Sequence, residues 1–199
     1  MNKNILICGV GGQGTVLASR IIAASAMNMG EKVMSAETIG MAQRGGPVTS
    51  HVRIGNDVFS PLIPFGQADM ILAFEPAEAV RNLKYLKKGG TVIVNTVPVK
   101  PVTESVKDTG YDGSAMTAYL KKEYKCVFAD SDKTALKFGS TKFFNIIMLG
   151  IACGIGELGI DGTELVEQIK RSVPAKYLDI NTEAFNEGLR TGEKYKGDQ

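Results

Sequence analysis

Short runs of apolar residues recur along the chain and alternate with longer segments in which apolar residues follow helical spacing. A continuous apolar run that ends in glycine or polar residues is typical of a parallel strand buried on both faces. Strands that alternate with helices in this way predict a mostly parallel sheet covered by helices. The runs predicted to be strands are Asn4–Cys8, Lys32–Ala36, Asp69–Ala73, Thr91–Asn95 and Lys125–Ala129. The intervening predicted helices are Gln13–Met29 closed by Gly30, one from Glu75–Pro76 to Gly89–Gly90, Ser114–Lys122, and a short one after Asp130.

One segment departs from this alternation. The segment Thr49–Arg53 is interpreted as a period-two strand, and Gly55-Asn56 offers a tight turn into Val58-Phe59. Period-two alternation followed by such a turn predicts an antiparallel hairpin. We therefore expect a small antiparallel insertion in an otherwise doubly wound sheet.

Helices end the chain. The first covers about residues 142–158, the second is capped by Asp161 with Glu164 in a capping-box arrangement, and the last starts near Asn181. The part of the first helix at 143–155 is apolar on every face, so the sheet must cover one side and other helices or another chain the opposite side. Gly150 and Gly154, four residues apart, permit a close backbone approach there. Self-association through 143–155 and burial within the chain both remain open.

These patterns together predict a single domain over residues 1–199 in the α/β class. We expect a Rossmann-like, doubly wound, mostly parallel sheet with a small antiparallel insertion and a helical C-terminus.

Composition and charge exclude several classes of protein. Lys and Arg number 23 against 21 for Asp and Glu, without a clustered basic face, so we expect no nucleic-acid partner. Cys8, Cys126 and Cys153 lie far apart in apolar runs, which argues against disulfides, a metal site or an iron–sulfur cluster on this chain. The longest apolar run is shorter than the roughly 20 residues that a membrane helix needs. With no signal-like N-terminus, we expect a cytoplasmic protein that binds no membrane.

A glycine-rich loop joins the first predicted strand to the first predicted helix. Its residues are Gly9, Gly11, Gly12, Gln13 and Gly14, in the order Gly-Val-Gly-Gly-Gln-Gly. Such glycines permit a sharp turn and a close approach of a pyrophosphate to the backbone, and the helix N-terminus favours an anion. The same glycines can also serve only strand–helix packing.

The loop after the second predicted strand is the most informative segment. A loop at the carboxyl end of a parallel strand is where α/β folds bind ligands. Arg44 offers a planar fork for a carboxylate or phosphate, Gln43 an amide, and Gly45-Gly46 a backbone free to bend. Glu37 lies where a dinucleotide-binding fold places a ribose-binding acid. The candidate ligand or interface residues are Glu37, Thr38, Gln43, Arg44, Gly45 and Gly46.

Linked motifs carry a resemblance to a known family. Gly-Val-Gly-Gly-Gln-Gly at 9–14 precedes Glu-Thr-Ile-Gly-Met-Ala-Gln-Arg-Gly-Gly at 37–46 and Ser-His-Val-Arg at 50–53. Phe59–Pro64, Ala73–Pro76 and Gly89–Asn95 continue the similarity. The chain resembles the gamma-type subunit of 2-oxoacid:ferredoxin oxidoreductases over nearly its whole length, and is most similar to the indolepyruvate-oxidising branch.

The resemblance implies a small subunit that completes a hetero-oligomeric enzyme. The large partner subunit would carry thiamine diphosphate, magnesium and [4Fe-4S] clusters, and coenzyme A would be the cosubstrate. The complex would convert an aryl pyruvate to an acyl-coenzyme A and reduce ferredoxin. This chain would hold no cofactor and no certain catalytic residue of its own.

Two other hypotheses stay open from the residues alone. Gly9, Gly11, Gly14 and Glu37 also suit a stand-alone NAD(P)-dependent oxidoreductase, and the fold also suits a non-catalytic nucleotide-binding module. His51, the single histidine, gives a histidine-based metal site or triad little to build on, and a hydrogen-bonded sheet position is expected for it.

Overall fold

A computed structural model describes residues 1–38, 45–100 and 110–197. They form a six-stranded sheet with helices on both faces. The strands are β1 (Lys3–Val10), β2 (Val33–Thr38), β3 (Pro47–Ile54), β4 (Ala68–Ala73), β5 (Leu86–Asn95) and β6 (Lys125–Ala129). The helices are α1 (Thr15–Asn28), α2 (Pro76–Asn82), α3 (Ser114–Glu123), α4 (Ser131–Phe138), α5 (Phe144–Gly154), α6 (Gly162–Ser172) and α7 (Leu178–Gly197).

The sheet is mostly parallel. The strand order is β2-β3-β1-β4-β5-β6, and β1, β4, β5 and β6 pair in parallel. In the described part of the chain, β3 alone pairs antiparallel, with β1 on one side and β2 on the other. The predicted fold class, an α/β sheet with a small antiparallel insertion and a helical C-terminus, is confirmed.

The predicted hairpin around Gly55-Asn56 is wrong in its detail. Val58-Phe59 forms no strand, and β3 instead lies inside the sheet between β1 and β2. The Gly55 amide donates to the Lys32 carbonyl at the start of β2, so the chain after β3 faces β2 and finds no local partner strand. Long-range pairing of β3 with two strands buries more backbone than a two-stranded ribbon could, and it overrides the local turn signal.

The glycine pair at 89–90 also has a different role from the predicted helix stop. Helix α2 ends at Asn82, and a short 3₁₀ turn, Leu83–Tyr85, leads directly into β5. Gly90 lies within β5, where a Cβ atom would lie 3.0 Å from the Asp69 carbonyl oxygen and 3.1 Å from that of Ala68. The pairing of β4 with β5 shifts register at this point. Gly90 therefore permits a close strand approach at an irregularity in the sheet.

Two apolar layers hold the helices on the sheet. One face is covered by α1, α5, α6 and α7, and the other by α2, α3 and Ile63. Asp161 caps α6 as predicted, because its carboxylate accepts a backbone N–H group, and Asp130 caps α4 in the same way. Glu164 does not complete a capping box, since its Oε1 accepts from the Asn28 side chain at 2.8 Å.

Helix α5 is covered within the chain itself. A Cβ atom on Gly150 would lie 2.2 Å from the Phe185 carbonyl oxygen, and one on Gly188 would lie 2.1 Å from that of Ile147. Gly154 and Gly192 repeat this contact one turn further along, so α5 and α7 pack backbone against backbone. Almost all of α5 is buried, which leaves 143–155 no free face for a second copy. The self-association considered from the sequence is wrong, and burial accounts for this apolar segment.

No single helix in the described residues is long and apolar enough to cross a membrane. A pair bent by 115°, Ser131–Phe138 with Thr141–Gly154, meets that test on length and composition only. Its second helix is α5, which lies in the protein core.

Candidate functional site at the carboxyl edge of the sheet

The carboxyl ends of β1, β4, β5 and β6 meet at one edge of the sheet. From β1 the chain runs through α1 toward β2 on one side, and β4 lies on the other side of β1. The crevice beyond β1 and β4 is therefore the topological switch point, where open α/β sheets bind ligands. Two cavities open here, with volumes of about 330 Å³ and 370 Å³.

The predicted glycine-rich loop forms the centre of this edge. Gly12 and Gly14 have φ angles of 102° and 82°, a region that side chains rarely adopt. A Cβ atom on Gly9 would lie 2.9 Å from that of Phe74. Gly12 and Gly14 are therefore required by the backbone conformation, and Gly9 is required by close packing against Phe74.

Gln13 holds the loop against β4. Its Oε1 accepts from the Val10 amide at 2.7 Å, and its Nε2 donates to the Phe74 carbonyl at 2.8 Å. Both ends of the amide are thus used inside the protein. Gln13 is therefore a positioning residue for the loop.

The structure joins the two motifs that the sequence singled out. The Gly11 amide donates to the Gly46 carbonyl at 2.9 Å, so the glycine loop contacts the end of the second predicted loop. A pyrophosphate in a dinucleotide-binding fold would compete for that amide. The backbone amides of Gly12 and Gly14 donate no hydrogen bond to any of the described residues.

Glu37 does not lie where a ribose-binding acid belongs. Because β3 separates β2 from β1, the two strands are about 10 Å apart instead of about 5 Å. The Glu37 carboxylate lies 3.6 Å from the Arg20 guanidinium and 3.5 Å from the Ser19 hydroxyl. Its contacts are with α1 and not with the crevice.

The rest of that predicted loop is only partly described. Gly45 lines the larger cavity with a φ of 78°, and Gly46 makes the bond to Gly11. Gln43 and Arg44 lie outside the described residues, as does the side chain of Thr38. Their predicted role as ligand or interface residues stays a prediction.

The smaller cavity is lined by polar groups from several chain segments. Asn95, at the end of β5, donates to the carbonyls of Phe74 and Val97, both at 3.1 Å, and accepts from the Ser131 amide. Asn145 is 5% exposed, and its Nδ2 has no hydrogen-bond partner among the described residues. The full lining comprises Gly12, Gln13, Gly14, Asn95, Val97, Val99, Ser131, Asp132, Thr141, Lys142, Phe144 and Asn145.

This cavity can accept an anionic group. The unbonded amides of Gly12 and Gly14, the Asn145 amide and the Lys142 ammonium are all donors. In the described part of the chain, no carboxylate lies within ion-pair distance of Lys142, and Asp132 is the opposing charge in the lining. Donors around a helix N-terminus favour phosphate or carboxylate oxygens.

The larger cavity contains two buried carboxyl groups that sequence reasoning missed. Glu75, 2% exposed, caps α2 by accepting the Glu78 amide at 2.9 Å, and its other oxygen accepts the Tyr111 hydroxyl. Glu78 accepts from Arg81. Burial raises the pKa of Glu78, although Arg81 opposes this, and burial with the Glu75 contact raises the pKa of Tyr111. The sequence marked Glu75 as a helix start and as part of the family motif Ala73–Pro76, and neither signal indicates a buried acid.

His51 is a structural residue. Its Nδ1 accepts the Ile63 amide at 3.2 Å, and Tyr85 contacts its ring edge-to-face at 5.4 Å. Burial lowers its pKa. The predicted hydrogen-bonded position in the sheet is confirmed.

The cysteines do not form a ligand set for an iron–sulfur cluster. Cys8 lies in β1, Cys126 in β6 three strands away, and Cys153 in α5. Three strand spacings are about 14 Å. Burial raises the pKa of all three thiols, to about 11 for Cys126 and Cys153, which disfavours the thiolate that binds metal. In the described ranges, no group of three His, Cys, Asp or Glu residues is arranged to hold a metal ion.

Comparisons with known proteins place this fold in a family. The model of the family described as pyruvate ferredoxin/flavodoxin oxidoreductase matches residues 4–191. Indolepyruvate oxidoreductase subunit IorB of Thermococcus kodakarensis is 36% identical over 197 residues, which cover 98% of each chain. The structure is similar to the gamma subunit of a keto/oxoacid ferredoxin oxidoreductase from Geobacter sulfurreducens, with a TM-score of 0.71 and 22% identity over 96% of this chain and 99% of that one.

A second solved structure contains the same fold within a longer chain. It is 2-oxoglutarate:ferredoxin oxidoreductase from Magnetococcus marinus with 2-oxoglutarate, coenzyme A and succinyl-CoA bound. The TM-score is 0.69 at 19% identity, covering 97% of this chain and 31% of that one. The motifs at 9–14 and 37–53 agree with two of these findings. They are the family match over residues 4–191 and the similarity to IorB over nearly the full length of both chains. The chain belongs to the pyruvate ferredoxin/flavodoxin oxidoreductase family.

Proposed function

We propose that this chain is the small subunit of a thiamine-diphosphate-dependent 2-oxoacid:ferredoxin oxidoreductase that acts on an aryl pyruvate such as indolepyruvate. The full-length similarity to a protein named as an indolepyruvate oxidoreductase subunit carries the proposal. The complete complex decarboxylates the oxoacid, transfers its acyl group to coenzyme A and passes two electrons to ferredoxin. The enzyme is cytoplasmic.

The thiamine diphosphate, the magnesium ion and the [4Fe-4S] clusters belong to the large partner subunit. The scattered thiols of this chain do not fit a cluster, and their raised pKa values favour the protonated form. In the Magnetococcus marinus protein, a fold like this one occupies 31% of a longer chain, which supports a domain that acts with larger neighbours.

The chain's own contribution is the carboxyl edge of its sheet. The smaller cavity is lined by Gly12 and Gly14, whose amides have no partner among the described residues, and by Asn145 and Lys142, so it is suited to a phosphate group of coenzyme A. Gly45 and Pro47 line the larger cavity beside it, so the base of the loop that bears Gln43 and Arg44 reaches the same edge. We place Gln43 and Arg44 at the interface with the large subunit, near the reaction centre, where they hold substrate, coenzyme A or a partner carboxylate.

The geometry disfavours the stand-alone NAD(P) hypothesis. The Gly11 amide is bonded to Gly46, and Glu37 is paired with Arg20 on the far side of β3. Neither group is free for the contact that a dinucleotide requires of it.

Reconstitution tests the proposal. The purified chain alone should be colourless and should not reduce a viologen dye, whereas mixing with the large subunit should give activity that requires both aryl pyruvate and coenzyme A. Stoichiometric iron or thiamine diphosphate on the isolated chain would contradict the proposal. So would NADH-dependent turnover of the chain by itself.

The role of the smaller cavity has its own test. Lys142→Ala should raise the KM for coenzyme A about tenfold, the effect of losing one charge-assisted contact, and leave the KM for the oxoacid unchanged. Lys121→Ala on the exposed end of α3 is the matched control and should change neither constant. An equal change in both KM values would show that Lys142 acts through assembly and not through coenzyme A.

A further inference from the structure

Asn145, in the first turn of α5, lies against the start of α1 in the smaller cavity. A Cβ atom on Gly14 would lie 2.6 Å from Asn145 Nδ2 and 3.3 Å from Asn145 Cβ, so this side chain lies directly over Gly14. Asn145 is 5% exposed, and both residues line the cavity. The fold thus joins the starts of two helices that are far apart in the sequence.

A hydrogen bond fixes which end of the Asn145 amide faces the cavity. Its Oδ1 accepts the backbone amide of Ile146 at 2.9 Å. Turning the side chain over would place its NH2 group against that N–H donor, so Nδ2 points away from Ile146. In the described residues, Nδ2 has no partner, and the fully enclosed side-chain atoms without one are the hydroxyls of Ser25 and Ser50. Nδ2 is therefore open to the cavity and can donate to a ligand.

The donors around Asn145 suit a group with several free oxygens. The backbone amides of Gly12 and Gly14 donate to none of the described residues, and Lys142 adds an ammonium group to the same lining. A terminal phosphate monoester has three unshared oxygens and a charge of about −1.5 to −2 at pH 7, so it can accept from several such donors at once.

A bridging pyrophosphate fits this cavity less well. The phosphates of a pyrophosphate diester carry two unshared oxygens each and less charge than a monoester. The Gly11 amide, which a pyrophosphate on a dinucleotide-binding loop would use, already donates to the Gly46 carbonyl. Val97, Val99 and Phe144 line the cavity beside the donors and offer an apolar wall to the organic part of a ligand.

We propose that the smaller cavity binds the 3′-phosphate of coenzyme A, a terminal monoester, and that Asn145 makes the site specific for it. The inference rests on the proposed function, which supplies coenzyme A as the ligand. The N–H groups of Nδ2 donate to phosphate oxygens while Oδ1 stays bonded to Ile146. A carboxylate at this position would keep the bond to Ile146 and would repel the phosphate.

The test compares coenzyme A with dephospho-coenzyme A, which lacks the 3′-phosphate, in the reconstituted enzyme. The wild-type KM should be about ten- to hundredfold lower for coenzyme A, the effect of one or two charge-assisted contacts. Asn145→Asp should abolish this preference by raising the KM for coenzyme A alone, and Asn145→Ser should reduce it about tenfold. A purely structural role of Asn145 would change both KM values, or kcat, to the same extent.

A matched control adds the same charge elsewhere. Asn186→Asp replaces an exposed amide on α7 and should leave the preference unchanged. Thermal melting shows whether each variant is folded, and if Asn145→Asp is not, the result for Asn145→Ser decides. A preference that survives in a folded Asn145 variant would overturn the inference.

Calorimetric titration of the full-length chain alone separates this inference from the proposed function. The chain should bind coenzyme A more tightly than dephospho-coenzyme A, because the donors all belong to it. Equal binding of the two compounds, or binding of neither, would overturn the inference and leave the proposed function standing. The predicted preference in a chain whose complex is inactive would reject the proposed function alone. NADP carries its terminal phosphate on a 2′ oxygen, and tighter binding of NADP than of coenzyme A would also overturn the inference.

Discussion

The contact between α5 and α7 allows a stability prediction from distances alone. In the substitution Gly188→Ala, the new Cβ atom would lie 2.1 Å from the Ile147 carbonyl oxygen and 2.9 Å from the Ile151 nitrogen. Both are backbone atoms of α5, so no side-chain rotation can relieve the clash. The two helices must move apart.

The magnitude follows from two opposing effects. A comfortable carbon–oxygen contact is about 3.3 Å or more, so the helices must separate locally by about 1 Å. Overpacking of this kind costs about 1–3 kcal/mol, and the separation also weakens the contacts of Gly150 and Gly154 with α7. Alanine is favoured over glycine in a helix by about 1 kcal/mol. The clash and the weakened contacts together outweigh this gain, and we expect a net loss of up to about 2 kcal/mol, or a melting temperature lower by up to about 8 °C.

Thermal unfolding followed by circular dichroism measures this effect. Gly197→Ala, in the same helix, is the matched control, because a Cβ atom there would have no neighbour within 4 Å. That variant should be as stable as the wild-type chain or slightly more stable. If Gly188→Ala melts at the same temperature as Gly197→Ala, the two helices do not pack backbone against backbone and the argument is refuted.

Further predictions concern the carboxyl edge and the core thiols. Gln13→Met removes the bonds to Val10 and Phe74 and should cost about 1–3 kcal/mol in chemical unfolding, since the Val10 amide and Phe74 carbonyl lose partners; an unchanged midpoint would contradict this. Arg44→Ala should lower the activity of the reconstituted enzyme, or the affinity between its subunits, about ten- to hundredfold. The melting temperature of the free chain should change little. Normal activity of the variant would show that this loop has no role in the complex. Because burial raises the pKa of the Cys126 thiol to about 11, its alkylation by iodoacetamide at pH 8 should be much slower than in denaturant and should accelerate as pH rises toward 11. A rate equal to that of the unfolded chain at pH 8 would show that this thiol is not protected.

Much of the fold could be predicted because local patterns and tertiary packing agree. The run Lys125–Ala129 is a strand with the predicted bounds, and Asp130 and Asp161 cap helices where their side chains can accept N–H groups. These signals depend only on neighbouring residues, so they can be recognised in a short stretch of sequence.

The candidate site was predictable only in part. The glycine loop and Gly46 were found because glycine marks backbone requirements that do not depend on distant residues. Glu75 and Asn145 were missed, since a buried acid at a helix start and an amide in an apolar helix acquire meaning only when other segments pack around them.

The sequence by itself determined the alternation of strands and helices, the glycine loop at the first strand–helix junction, and the motifs that place the chain in its family. Tertiary structure alone decided that β3 lies between β1 and β2, which moves Glu37 away from the crevice and pairs it with Arg20. It also decided that α7 covers Gly150 and Gly154 of α5, leaving no free face there. The physical reason is common to both cases. Hydrophobic periodicity indicates that one face of a helix or strand must be buried. The distant segment that covers this face is determined by long-range strand pairing and by the fit of complementary shapes.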